Sequence, residues 1–411
     1  MARYRLGRRL AAGGMAEVYV GSAVGAGGFT RAVAIKRVLP QHAQDVFYQA
    51  LFLREARRMA AVHHPNVVEV LDLGGFEGAP CMVLELVDGE NLRTVLKAAA
   101  QADRALSLAE AVHITAEVAA GLAHAHAARS PDGIPLQLVH RDVNPTNILI
   151  SATGEVKLAD FGVAWAADGE AHEEGVVKGK PGYLSPEQAR GERPDQRSDV
   201  FLLGLLLHEL LTGTRLFKGL SFAQAINRIR TFQPRLMERS ASIPPELWEL
   251  LCHALEPEPS LRLATAQAFS DTLRDYLFQA GLRVGPRELA TTFRALFPDR
   301  PSLCDEGVRT TREPVTLESS WRFRPPPPLE VTPAFDLSVP FVNSDDIELL
   351  EETAESFLPS APWLEELDAL DPDALEAGEL DLEIEAQARA LELLALERRR
   401  REDAEPFAAA H

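Results

Sequence analysis

Residues 140–162, HRDVNPTNILISATGEVKLADFG, place oxygen-bearing side chains on both sides of one short hairpin, and this constrains the chain more than any other stretch. Ile148-Leu149-Ile150 and Val156-Lys157-Leu158 read as two strands joined by an SATG turn. The tight turn returns the chain to its starting point. Asp142 and Asn147 ahead of it, and Asp160 beyond it, therefore meet in one loop cluster. Two carboxylates and an amide suit a hard cation that keeps waters and bridges phosphates, as Mg²⁺ does. Phosphoryl transfer needs metal ions on the phosphates, a further cation, and a carboxylate that orients the incoming hydroxyl.

The further cation has a candidate upstream. Ala32-Val33-Ala34-Ile35-Lys36 reads as a strand, so Ala34 and Lys36 share one face and Val33 and Ile35 the other. A small residue beside a lysine suits a flat ring with phosphates next to it. Before this strand lies Leu10-Ala11-Ala12-Gly13-Gly14-Met15-Ala16-Glu17-Val18, whose glycines let backbone N–H groups approach phosphate oxygens. Taken alone, that loop says little.

The rest of the chain reads as short strands over 4–40, a helix over 46–61 with Leu51, Ala56 and Met59 facing inward, and more strands to Leu86. Helices dominate from Leu108 to about Phe297, interrupted by the hairpin. Small residues Ala116, Ala119, Ala120 and Ala123 predict a close-packed helix, and Val200–Leu211 is apolar nearly all round, as a buried helix would be. His124 and His126 read as structural. Beyond Phe297 come a proline-rich linker, WRFRPPPPLEVTP, and an acidic tail in which 381–403 can form one helix ending in Arg398–Arg401.

Charge follows this division. Residues 301–411 hold 27 acidic against 9 basic residues, whereas the remainder holds 34 against 33. A near-neutral body with an acidic tail argues against nucleic-acid binding. No stretch reaches the roughly 18–20 apolar residues of a membrane span. Three distant cysteines, Cys81, Cys252 and Cys304, predict reduced thiols in a cytoplasmic protein without an export signal.

In order along residues 4–280, the glycine loop, VAIK (33–36), HHPNVV (63–68), LELVDGENL (84–92), HRDVNPTN (140–147), DFG (160–162), GYLSPE (182–187), SDVFLLG (198–204) and Arg262 together resemble the eukaryotic-like serine/threonine protein kinases of bacteria. The resemblance implies an α+β, two-lobed protein kinase fold over 4–280, with a small β-rich N-lobe over about 4–85 and a larger helical C-lobe over about 88–280. It also implies a post-kinase helix in 281–299, while the composition beyond it predicts a mostly disordered Pro-rich, acidic tail over 300–411. The implied reaction moves the γ-phosphate of ATP, with Mg²⁺, to serine or threonine of a protein substrate in bacterial signal transduction.

Roles follow by position as what the resemblance implies. Lys36 holds the α- and β-phosphates and pairs with Glu55; Asp142 orients the substrate hydroxyl; Asn147 and Asp160 ligate magnesium. Leu10, Gly13, Gly14, Val18, Ala34, Glu85, Val87 and Leu149 join Lys36 around ATP, with Leu84 at the gatekeeper position. Asp199 anchors the HRD backbone, and Glu187 pairs with Arg262.

Three positions depart from the family pattern. Ala11 and Ala16 stand where glycines are usual. Asn144 stands where a lysine is usual and Lys180 where a threonine is usual, a pattern like that of one bacterial branch, which predicts that Lys180 supplies the missing charge near the γ-phosphate. The segment between Gly162 and Tyr183 holds no Ser, Thr or Tyr, and Glu170, Glu173 and Glu174 are either a solvated acidic loop or partners for Arg141. The tail likewise leaves two readings open, simple disorder or a docking element for a partner.

Overall fold

The computed structural model describes residues 3–76, 78–130, 132–161, 180, 182–241, 243–305 and 315–317. The Pro-rich linker, the acidic tail with its 381–403 helix, and Glu170, Glu173 and Glu174 lie outside the described residues.

The first lobe is an antiparallel sheet carrying one helix. Strands β1 (Arg3–Ala12), β2 (Ala16–Val24) and β3 (Thr30–Val38) form a meander, and β4 (Val70–Phe76) and β5 (Ala79–Glu85) join after helix α1 (Val46–Met59). The period-2 alternation in β3 organises both faces. Val33 and Ile35 are buried in an outer cluster with Tyr4, Leu6, Cys81 and Val83. Ala34 faces the other cluster, which holds Phe52, Ala56 and Met59 of α1 together with Met82, Leu84 and Phe161. Positions 52, 56 and 59 are one helical stripe. Leu51, expected inward, is only half-buried because Phe52 takes that side.

The second lobe begins with β6 (Gly89–Asn91) and α2 (Leu92–Gln101), started by Asn91, whose side chain accepts from the Thr94 backbone N–H at 2.9 Å. Helix α3 (Leu108–His126) starts with a reciprocal cap between Ser107 and Glu110. Its small residues have a reason: a Cβ at Gly121 would come within 2.8 Å of the Asn66 carbonyl oxygen. The sequence hairpin is β7 (Ile148–Ser151) and β8 (Val156–Leu158), and β6 pairs with β7 to make a small sheet. Then come α4 (Pro186–Ala189), α5 (Gln196–Thr212), α6 (Phe222–Arg230), α7 (Pro245–Ala254), α8 (Ala266–Gln279) and α9 (Pro286–Leu296). In α5, Val200 to Leu207 are all buried in the core that α3, α7, α8 and α9 share.

Glu187 and Arg262 form a buried two-bond pair at 2.7 and 2.7 Å. Every N–H of Arg262 is used, the other three donating to the backbone oxygens of Glu256, Arg197 and Pro257, while its plane lies over Phe201. A buried pair so completed tethers α4 to the base of the lobe.

The segment after α8 closes back over the molecule. Leu289 and Phe293 of α9 enter the core, and Thr292 donates to the buried Glu110 of α3. The α9 N-terminus sits on the β7–β8 turn, where Gly154 has φ +86° and an added Cβ would stand 1.8 Å from the Pro286 carbonyl oxygen. Arg300 then grips Asp88, Gly89 and Glu90, with bonds of 2.7, 2.6 and 2.8 Å, and Asp88 also accepts from Ser302 and the Leu303 N–H. Strand β9 (Val315–Thr316) pairs with β1, and Leu317 completes the outer cluster of the first lobe.

Gly133 also has positive φ, +80°, but an added Cβ there meets nothing within 4 Å. Gly133→Ala should cost about 1 kcal/mol in urea unfolding, and Gly154→Ala a further ~1–3 kcal/mol for the collision.

Candidate active site

The loop 140–147 has its shape because of a carboxylate beneath it. Asp199, in the first turn of α5 and wholly buried, accepts the backbone N–H groups of His140 at 2.8 Å and Arg141 at 2.7 Å, and meets His126 Nε2 at 2.7 Å. Burial alone would raise this carboxyl, but the His126 bond and charge, with His140, outweigh it and hold the pKa below the ordinary carboxylate value. Arg141 adopts φ +68°, a conformation rare for a side chain of its size, and its carbonyl accepts from Gln188 of α4. The buried His140 ring accepts the Asp142 N–H at Nδ1 and donates from Nε2 to the Ala159 carbonyl, which fixes its tautomer, while Phe161 packs on it with ring centroids 4.7 Å apart. Burial lowers its pKa, so it stays neutral.

On this frame Asp142 is aimed by two amides. Asn144 Nδ2 donates to Oδ1 at 2.7 Å and Asn147 Nδ2 to Oδ2 at 2.8 Å; each also donates to the Asp142 carbonyl. Asn144 Oδ1 accepts from the Thr146 N–H and hydroxyl, which settles the orientation of that amide. Lys180 Nζ lies 2.8 Å from Thr146 Oγ1, 3.5 Å from Asn144 Oδ1 and 3.6 Å from Asp142 Oδ2.

Across the cleft Lys36 is bonded to Glu55 Oε1 and Asp160 Oδ1, both at 2.7 Å. Burial pulls its pKa down, but the two carboxylates outweigh it and keep it raised, so it is a permanent cation. The Lys36 charge lowers Asp160. Asp160 has φ +53°, and its side chain is 47% exposed. Lys36 takes one of its oxygens, and among the described residues no bond reaches Oδ2, which can serve a second cation. That oxygen and the Asn147 carbonyl make a donor set of two, hard and incomplete. Among the described residues no group of three or more His, Cys, Asp or Glu forms a metal site of its own. The pair fits Mg²⁺, an ion that takes its other ligands from water and phosphates.

The slot between these groups has apolar walls. Val18, Val87 and Leu149 are half-buried against the cluster that contains Ala34 and Leu84. Leu10 is half-buried on β1 and outside that cluster. Gly13 donates its N–H to Ala16 O in the turn that also holds Gly14, while Ala11 of β1 pairs with Val18 of β2 and Ala16 of β2 with Val38 of β3. Glu85 ends β5 with its N–H on the Glu69 carbonyl and its carboxylate on Lys157 at 2.7 Å. Thr146 and the His126–Asp199 bond were not evident from the sequence; a hydroxyl two residues beyond Asn144 was the available signal for the first.

The protein kinase domain pattern matches residues 4–273, and the chain belongs to that family. It is 38% identical over 278 residues to the tyrosine-protein kinase MasK of Myxococcus xanthus, covering 67% of this chain and 43% of that one. To the probable serine/threonine-protein kinase PknB of Bifidobacterium longum it is 35% identical over 295 residues, 67% of this chain and 40% of the relative. To the serine/threonine-protein kinase PknB of Mycolicibacterium smegmatis it is 36% identical over 318 residues, 75% and 46% of the two chains. The chain thus spans less than half the length of these relatives. The fold is the two-lobed α+β kinase fold expected. Among the described residues no helix is long and apolar enough to cross a membrane, and the three cysteines are unpaired.

Because the folded pKa of Asp199 is depressed, its stabilisation is full above the ordinary carboxylate pKa near 4 and is lost as pH falls through the lower folded value. Urea unfolding between pH 7 and pH 2.5 should show Asp199→Asn destabilised at neutral pH, with the gap to the unaltered protein narrowing below pH ~4.

Proposed function

We propose that this chain is an active, cytoplasmic, ATP-dependent protein kinase that phosphorylates serine or threonine in protein substrates as part of bacterial signalling. The observation that carries the reading is Asp142, held by one amide on each carboxylate oxygen within the same cleft as a Lys36–Glu55–Asp160 ion triad. Scaffolds that have abandoned chemistry have no use for a carboxylate oriented this way.

Magnesium ATP, when bound, supplies the γ-phosphoryl group and neutralises charge on its oxygens. Val18, Ala34, Val87 and Leu149 provide the apolar walls for the base, with Leu10, Gly13, Gly14 and Glu85 around its margins. Lys36 binds phosphate oxygens, and Glu55 keeps it from swinging away. Asn147 and Asp160 would hold the metal ion, which would screen charge on the phosphates. Asp142 accepts the proton of the substrate hydroxyl as the new P–O bond forms, the bond from γ-phosphorus to the bridging oxygen breaks, and ADP carries away that electron pair. Asn144 keeps the Asp142 carboxylate in place, and Lys180 stands beside it as a cation for the transferring oxygens. The acidic tail is a candidate docking element for a partner.

A tyrosine hydroxyl is the second reading, favoured by the description of the relative MasK. Radiolabelled ATP with Mg²⁺ and a general protein acceptor, followed by phosphoamino-acid analysis, decides between them. Label should appear on serine or threonine and fall at least ~100-fold in Asp142→Asn. Label on tyrosine would transfer the reading to the other hydroxyl. Absence of Asp142-dependent label, with ATP still bound, would show the chain to be a nucleotide-binding scaffold.

A further inference from the structure

Lys180 does not approach Asp142 as a free ammonium would. Opposite charges in direct contact close to about 2.7–2.9 Å, yet Lys180 Nζ stops 3.6 Å from Asp142 Oδ2. What it touches is Thr146 Oγ1, at 2.8 Å. The Thr146 hydroxyl has one proton, and it goes to Asn144 Oδ1 at 2.5 Å. Its lone pair is therefore the acceptor for Lys180. The same donation, with that of the Thr146 N–H at 2.9 Å, turns the Asn144 amide so that Nδ2 faces Asp142 Oδ1. One exposed hydroxyl thus seats the cation and orients the amide at once.

We propose that Thr146 is a positioning residue that holds Lys180 off Asp142, so that the ammonium keeps its remaining donors for the oxygens of the transferring phosphoryl group. This rests on the kinase reading above. Without the hydroxyl, the one contact among the described residues that competes with Asp142 for Lys180 is the long 3.5 Å approach to the neutral Asn144 Oδ1. The ammonium closes onto the carboxylate, covering Oδ2 where the substrate hydroxyl must come and spending its own charge there. The loss then falls on the reacting phosphoryl group. The nucleotide, gripped by Lys36 and the apolar slot across the cleft, keeps its affinity.

Thr146 is exposed, so Thr146→Val preserves shape and should fold; its thermal unfolding checks this. In steady-state transfer, Thr146→Val should lower kcat ~10–100-fold with KM for ATP changed less than about twofold, while Thr146→Ser stays within about threefold of the unaltered protein. In a Lys180→Met background, Thr146→Val should have an effect of no more than about threefold, because the backbone N–H of residue 146 still holds the Asn144 amide and the remaining loss acts through the lysine. Calorimetry supplies a readout without turnover. Magnesium ADP with aluminium fluoride, which mimics the phosphoryl group in flight, should bind Thr146→Val ~10-fold more weakly, and magnesium ADP alone equally well.

Full kcat in Thr146→Val, an equal loss in both backgrounds, or a loss in Thr146→Ser as deep as in Thr146→Val would each overturn the proposal while leaving the kinase reading intact. An unaltered protein that shows neither Asp142-dependent transfer nor tighter binding with aluminium fluoride than without it would sink both.

Discussion

Asp199 is a charge in the driest part of the molecule, and the loop 140–147 is built on what that charge requires. An unpaired carboxylate at such a depth would cost several kcal/mol. Here it accepts two successive backbone N–H groups and a histidine, so it is satisfied only when residues 140 and 141 present their amides together. That demand bends the backbone into the left-handed conformation of Arg141, a strain of about 1–3 kcal/mol that the surrounding bonds sustain. The bend delivers Asp142 to the cleft. The apolar helix α5 therefore reaches into the cleft: its packing fixes the carboxylate, the carboxylate fixes two amides, and the amides aim Asp142.

The cleft has two cations of different standing. Lys36 lies on a strand, buried, with two carboxylates on its ammonium. It is part of the sheet's rigid geometry. Lys180 is a third exposed, held by a threonine hydroxyl and by weaker contacts. One cation is built into the frame and the other is seated by a neighbour. Buried pairs resist loss because removing one member strands the other; exposed ones owe their place to local geometry.

Much of this was legible in the sequence, for identifiable reasons. The oxygen cluster around the hairpin, the lysine strand and the apolar helix are local patterns whose spacing dictates their geometry, and each appears where its period places it. Alternation in β3 foretold both clusters of the first lobe. The α1 stripe was displaced by one residue, since Leu51 and Phe52 are both apolar and periodicity alone does not rank them. Contacts between distant elements were harder. Nothing in the pattern around His126 announces Asp199, and Arg300 shows no preference in sequence for Asp88 over any other acid. Such pairings are decided by how helices stack, which a linear pattern does not encode. Thr146 was overlooked for a different reason: between Pro145 and Asn147 its hydroxyl looks like one more polar loop atom, and only the direction of its single proton shows what it holds.

The sequence pattern of the family ends at residue 273, yet the folded body does not. Glu110 is completed by Thr292, Asp88 by Arg300 and Ser302, and the open side of β1 by β9. A fragment cut at the family boundary would leave a buried carboxylate short of a donor, two acids facing each other at residues 88 and 90, and a bare strand edge of the kind that recruits other chains. For this protein the folded unit extends past the family boundary at least as far as Leu317, and that segment belongs to its architecture as much as any strand of the first lobe.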